Sequence, residues 1–339
     1  MRTLHFVFTI LILLTATSIY SQKQTHYSIG FYNLENMFDT IHDEGKNDYE
    51  FLPQGVYKWN SKKYNCKINN IASVLAQLGT ELQPAGAAIV GICEIENTNT
   101  LNDLINSQYL IQKKWNYIHF ESEDSRGTDC ALLYDPKQFT PIAQRLIPYK
   151  NDSISRHRTR GFLVVSGILA KDNIHIIVNH WPSRYSKSPS RERAATQIKA
   201  IKDSIARQHP DTKLIIMGDF NDNPDNTSLK DSLRAKRHIA ETKNAHDLYN
   251  PYWDILRKEK KGTIKYRDRW QLYDQIIISG NLCDKKIKGL KYTKSEIHLR
   301  PHMINNEGRY KDYPKRTHAN GRWLNGYSDH LPIVIYLCN

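Results

Sequence analysis

Short, nearly continuous apolar runs punctuate the chain, at residues 27–32, 87–92, 130–134, 162–169, 174–178, 214–217, 275–278 and 333–337. Runs of this length, rich in Ile, Val and Leu, predict strands, several of them buried on both faces. Between them Ile68, Ile71, Val74, Leu75 and Leu78 recur at helical spacing up to Gly79, which predicts a helix that stops there. Residues 191–208 predict a second helix, with Pro210 just beyond it. Many strands with a few intervening helices predict a layered α/β (α+β) fold and exclude a helical bundle. The stretch from about Arg257 to Arg322 is more polar, Tyr-rich and basic. It is expected to form insertions and loops on the same domain, because the last apolar run must return to the core.

The leading residues follow another logic. Arg2 precedes a mostly apolar run over residues 4–14, then small residues Thr15, Ala16, Ser18 and Ser21. That order predicts a signal peptide over residues 1–21, cleaved after Ser18 or Ser21, and a single mature domain over 22–339. An uncleaved anchor is the alternative, although the run is shorter than the roughly 20 residues of a membrane span. No later run is long enough to span, so the mature chain is expected to lack a transmembrane segment and to be secreted or periplasmic.

Composition narrows the class without choosing the chemistry. With 40% hydrophobic and 24% charged residues, the 339-residue chain is neither disordered nor collagen-like. Five scattered Cys exclude a disulfide framework and a CxxC zinc module. The formal charge is +13, and losing Arg2 with the leader would leave +12.

Polar residues expected at the carboxyl ends of the apolar strands, where side chains emerge into a loop-lined cleft, carry the chemical signal. They are Asn33 in FYNLENMFD, Glu94 in IVGICEIEN, His180 in IIVNHWPS, Asp219 and Asn221 in IIMGDFND, Asp274 in YDQIIIS, and Asp329 with His330 in YSDHLPIVI. Singly, an acid after a strand is commonly a turn former and a His beside Trp commonly packs. Together they are types that bind hard cations or shuttle protons, and one follows nearly every run. Carboxylate and amide oxygens suit Mg²⁺ first, with Mn²⁺ or Ca²⁺ as alternatives. No GxSxG elbow, GxxxxGK loop or Cys–His zinc set competes. An oxygen-liganded metal, two His and a basic chain point to phosphate chemistry.

GDFND and SDH are the most specific blocks, with the Asn33 and Glu94 blocks in the expected order. On these motifs the sequence resembles the endonuclease/exonuclease/phosphatase superfamily, of deoxyribonuclease-I-like fold, and its bacterial secreted branch most. The resemblance runs from Asn33 to the last strand and implies a four-layered sandwich of two packed mixed β-sheets flanked by helices. It implies that Glu94 holds a divalent metal, with Asn33 and Asp329 beside it. Asp219 and Asn221 would lie across the scissile phosphate, and His330, oriented by Asp274, would be the general base. His180 would donate to the phosphate or protonate the leaving oxygen. In some members that His pairs with a Glu shortly before an apolar strand. Here SRGTDCALLYDP contains none, and Asp129 is the nearest substitute. Arg160 matches a phosphate-contacting Arg of relatives, an exposed Arg at a strand start being the alternative.

Charge bears on the substrate. Arg184, Lys187, Arg191 and Arg193 follow His180 directly, and further clusters span residues 257–269 and 285–294, interleaved with Tyr266, Trp270, Tyr273 and Tyr292. Such a surface attracts polyanions and offers rings to bases, with Arg184 a further phosphate contact. A merely solubilising basic face is the bland alternative. The expectation is a monomeric, metal-dependent nuclease acting on DNA, RNA or both with little sequence preference, and no stable protein partner. A lipid phosphodiesterase of sphingomyelinase type or a sugar or inositol phosphatase would use the same site. A non-catalytic nucleic-acid-binding protein is a third reading, opposed by retention of the whole polar set.

Overall fold

The computed structural model describes residues 25–151 and 159–339; the expected leader lies outside the described residues. One sheet contains β1 (His26–Met37), β2 (Ile89–Ile95), β3 (Asn116–His119), β4 (Asp129–Tyr134), β14 (Lys291–Ile297) and β17 (Ile333–Cys338), ordered β14-β17-β1-β2-β4-β3. The other contains β5 (Phe139–Ile147), β6 (Phe162–Leu169), β7 (Asp172–His180), β8 (Lys213–Asp219), β9 (Ala235–Lys236), β10 (Leu248–Tyr249) and β13 (Asp274–Ser279), ordered β5-β6-β7-β8-β13-β10-β9. Both are mixed: β1 runs parallel to β2 but antiparallel to β17, and β7 runs parallel to β8 but antiparallel to β6.

Alternation along the strands builds the layers, because successive side chains leave opposite faces. Ile29 and Phe31 of β1 and Ile89 of β2 face Ile176, Ile215 and Met217 of the second sheet in a shared central core. Tyr32, Val90 and Ile92 face outward onto α1 (Ser61–Gln77) and α2 (Thr98–Ile105). Ile177, Leu214 and Ile216 face outward onto α3 (Ser188–Gln208). Helix, sheet, sheet and helix form the expected four layers. The sheets approach closely at Gly91, where an added Cβ would lie 2.5 Å from Met217 Sδ. Both expected helices form: α1 ends just before Gly79 at φ +76°, and Pro210 follows α3. The short helix α4 (Tyr252–Arg257) adds Tyr252, Ile255 and Leu256 to the central core. No helix among the described residues is long and apolar enough to cross a membrane.

The strands of four or more residues that hydrophobic patterning did not reveal share a position. β3 and β14 are the two edges of one sheet, and β5 is an edge of the other. Edge strands bury less, so β5 carries exposed Gln144 and Arg145, and Pro141 sits at a register shift. Polar side chains and Pro on edges also discourage pairing with other chains. Within the polar stretch 257–322, two hairpins form, β11 (Ile264–Tyr266) with β12 (Arg269–Gln271) and β15 (His318–Ala319) with β16 (Arg322–Trp323). Both turns are left-handed at two residues. The second uses Asn320-Gly321, the preferred pair, whereas the first uses Arg267 at φ 47° and Asp268 at φ 63°. Arg267, which has neither Gly nor Asn/Asp chemistry, costs on the order of 1–2 kcal/mol there.

His298, next to β14, is 1% exposed, and neither ring nitrogen has a hydrogen-bond partner among the described residues. Burial first, then Arg300 and His302, push its pKa down to about 4. The folded ring therefore stays neutral while the unfolded one protonates. The stabilisation is complete above about pH 6.5 and is lost as pH falls towards 4, amounting to about 3 kcal/mol at full effect. Substituting His298→Leu should flatten the pH dependence of the denaturation midpoint in that window; an unchanged slope would assign the acid sensitivity elsewhere.

Candidate active site

The second sheet sets three polar residues in one row. His180 on β7 is the register partner of Asp219 on β8, and Asp219 is the partner of Asp274 on β13. Asp274 begins its strand rather than ending it, and His330 precedes β17. Because β13 and β17 run antiparallel to β8 and β1, their amino ends lie at the edge where those neighbours finish. The first sheet supplies Asn33 on β1 and Glu94 on β2. Both strands depart from regular pairing there, between Asn33 and Met37 and between Cys93 and Ile95. Glu94 takes φ 62°, and Glu35 and Asn36 take φ 52°. Such an irregularity re-aims a side chain at some cost in backbone strain. Here the Asn36 amide donates to Glu94 Oε2 at 2.8 Å, which holds the carboxylate in place.

Asp219 is the centre of the group. Its Oδ2 accepts from Asn33 Nδ2 at 3.1 Å and lies 3.6 Å from His180 Nε2 and 3.9 Å from His330 Nε2. Its Oδ1 accepts from the amide of Asn221, which is held at φ 50° with its side chain donating to the Trp181 carbonyl. Glu94 Oε1 lies 3.5 Å from Asn33 Nδ2 and 3.8 Å from His180 Nε2. His330 Nδ1 meets Asp274 Oδ2 at 2.6 Å. Ser328 fixes that turn by donating to the Asn33 carbonyl and accepting from the His330 amide. The geometry thus gathers Asn33, Glu94, His180, Asp219, Asn221, Asp274 and His330.

Burial makes the electrostatics opposed. Taken out of water, with Asp274 and Glu94 nearby, the Asp219 carboxyl is pushed up, against the pull of His330. Burial alone would lower His330, but Asp274 and Asp219 outweigh it and hold the imidazolium well above the ordinary range. His180 is driven well below by burial, then by Arg160, Arg126 and His330. A neutral His180 is a hydrogen-bond donor rather than an acid. Donor atoms of Asp219, Asp274 and His330 lie within 4.8 Å of one another, and Asp274 Oδ1 is buried without a partner among the described residues. Crowded and incompletely compensated, the oxygens of this group, with Glu94 and Asp219 joined through Asn33, fit a hard divalent ion.

Four expected roles meet a different geometry. Asp129 does not reach His180: its Oδ2 lies 3.1 Å from His119 Nε2, and its Oδ1 accepts from the Ser122 amide. His180 instead lies between the carboxylates of Glu94 and Asp219, with Nδ1 unpartnered among the described residues. Arg160 is neither an open clamp nor an exposed strand-start residue; it is 6% exposed and ion-paired with Asp124. Arg184 braces the Asn221 loop, donating to Asp222, Asn226 and the Asn221 carbonyl over the face of Tyr273. Asp329 accepts from Arg316 at 2.9 Å, which draws it into a network with Glu35 instead of placing it beside Glu94.

Two functional neighbours escaped the sequence reading. Arg126, 44% exposed, approaches Asn36 Oδ1 at 3.4 Å and so stands at the mouth beside the Glu94 anchor. Its Arg-Gly pair in SRGTD was a visible turn signal. Lys67 of α1 is buried, donates to the Tyr327 carbonyl at 2.7 Å and lies 4.0 Å from Glu35. Four residues before Ile71, it occupies the apolar face of the helix, where a Lys is itself the signal.

Residues 28–339 match the model of the Endonuclease/Exonuclease/phosphatase family. The chain belongs to that family. Its enzymes are metal-dependent hydrolases of phosphate esters, and the carboxylates and imidazole gathered here could bind a metal. A humanized D. rerio TDP2 is 12% identical with TM-score 0.55, covering 92% of this chain and 98% of its own. The mannosyl-6-phosphatase of Bacteroides thetaiotaomicron VPI-5482 is 15% identical with TM-score 0.56, covering 92% and 99%. D. rerio TDP2 complexed with single strand DNA product is 13% identical with TM-score 0.53, covering 92% and 99%. At these identities the likeness is one of fold. No curated protein matches the sequence.

Asp274→Asn should let the His330 pKa fall, read from the pH titration of its ring proton by NMR. It should also lower turnover of a phosphate ester roughly 10²–10⁴-fold. An unmoved His330 titration would show that Asp274 does not set the charge on that ring.

Proposed function

We propose that the chain is an exported, metal-dependent phosphodiesterase that hydrolyses nucleic acid with little sequence preference. The observation that carries the chemistry is the His330–Asp274 contact at 2.6 Å, which leaves His330 Nε2 aimed toward the Asp219 carboxylate hub. With Nδ1 donating to Asp274, Nε2 of the neutral ring is free to take a proton from water. Neutral His180 donates its N–H to a phosphate oxygen, and Arg126 supplies positive charge at the mouth. Glu94, with Asn33 and Asp219, would hold the ion, Mg²⁺ first by its oxygen donors. Such an ion, when bound, offsets charge on the phosphate oxygens and by repulsion returns His330 towards its neutral form. The chain's surplus of 48 Lys and Arg over 35 Asp and Glu supports a polyanionic substrate over a neutral lipid headgroup.

The test is an assay with Mg²⁺ or Mn²⁺ on plasmid DNA, RNA, sphingomyelin and a small phosphomonoester in parallel. Loss of DNA or RNA is expected, abolished by a chelator and by His330→Ala or Asp219→Ala, and weakened by salt. Turnover of the lipid or the monoester alone would refute the nuclease assignment and leave phosphate-ester hydrolysis standing.

A further inference from the structure

Beside the catalytic group lies a cavity of about 890 Å³ whose wall includes Asp329, the chain neighbour of His330, and Arg316, its ion-pair partner. The β11–β12 hairpin, the 305–316 loop and the β15–β16 hairpin enclose it. Cations and rings line it in pairs. Lys265 Nζ lies 5.0 Å from the Tyr313 ring, Arg267 stands over Tyr266 at 5.3 Å, and Arg309 over Tyr310 at 5.9 Å. Tyr266 and Tyr310 are 60% and 46% exposed, which is unusual for large rings that could have packed. The wall also carries Asp268 and Glu307, and Asp329 is taken by Arg316. The strained turn is part of this wall: Arg267 and Asp268 hold left-handed backbone, and the tip is latched by the Asp268 amide to Tyr313 Oη at 2.7 Å.

We infer that this cavity seats unpaired nucleotides of a single strand as it leaves the scissile bond, and so makes the enzyme prefer single-stranded over duplex nucleic acid. The inference rests on the phosphodiesterase reading of the adjacent site. A ring with a cation over it meets a base face and a phosphate together, the repeating unit of a strand. A duplex keeps its base faces stacked inside and can offer a concave wall only phosphates. A cavity of this size accommodates a nucleotide-scale ligand. The backbone strain at Arg267 is explained if the turn exists to present that side chain at this wall.

The experiment is fluorescence anisotropy of a labelled dT single strand and of a hairpin duplex. It uses the full chain carrying His330→Ala, so that neither probe is consumed. Tyr310→Ala or Tyr266→Ala should weaken the single strand about tenfold relative to the duplex, and Tyr310→Phe should restore it. If either alanine variant unfolds, the milder Tyr310→Leu gives the same readout, keeping bulk while removing the aromatic face. Equal weakening on both probes, no weakening on either, or displacement of the strand by a hexose 6-phosphate would overturn the inference. Turnover by the chain with His330 intact separates the two readings. Cleavage with single-strand preference unchanged by Tyr310→Ala removes the cavity's role alone. Tyr310-dependent binding with no cleavage of either probe in Mg²⁺ or Mn²⁺ removes the nuclease reading alone.

Discussion

The constraint on which this architecture depends is the cost of bringing Glu94, Asp219 and Asp274 together away from water. Two of these carboxylates are 2% exposed or less, and buried like charges repel with little water to screen them. The fold meets that cost with Asn33 between two of them, the Asn221 and Asn36 amides, and a protonated His330. What these do not balance is the demand for a further cation. Buried negative charge is here the source of function, since the same pocket bound only to protein groups would be a liability in stability.

The two histidines show how environment divides labour between identical side chains. Both are nearly buried and both have carboxylates nearby, yet at His330 Asp274 and Asp219 outweigh burial and hold the proton, while at His180 burial, then Arg160 and Arg126, drives it off. Arg160 contributes without touching the site: paired with Asp124 behind the strands, it biases His180 through the low-dielectric interior. The Lys67–Glu35–Arg316–Asp329 network plays a comparable supporting part under the first sheet. Burial moves the Lys67 and Glu35 pKa values towards each other. The pair ties α1 to the loop that delivers His330.

Central strands were legible because burial on both faces leaves a continuous apolar run, and the polar residues ending those runs were legible by contrast. The edges β3, β5 and β14 were not, because a strand with one open side can be polar. Asp129 and Arg160 were misplaced for a related reason. Each partner is set by how loops fold back, and neither the His119–Asp129 contact nor the Arg160–Asp124 pair, 36 residues apart, leaves a periodic trace. Asp274 and His330 were found as residues, but that strand starts could meet strand ends required the sheet directions. The stretch 257–322 was legible as polar, basic and Tyr-rich insertions and not as the wall of a cavity, since two hairpins close it.

β17 lies between β1 and β14, so the first strand of the fold has its neighbour some three hundred residues later. Loop closure of that span is slow compared with local pairing. A chain still emerging from the ribosome can form β1, β2 and α1, yet it lacks the strand that brings His330 to Asp274. Hydrolytic competence therefore arrives only with the closing of the first sheet. By topology alone, a partly made molecule lacks the assembled group on which phosphate-ester chemistry would depend.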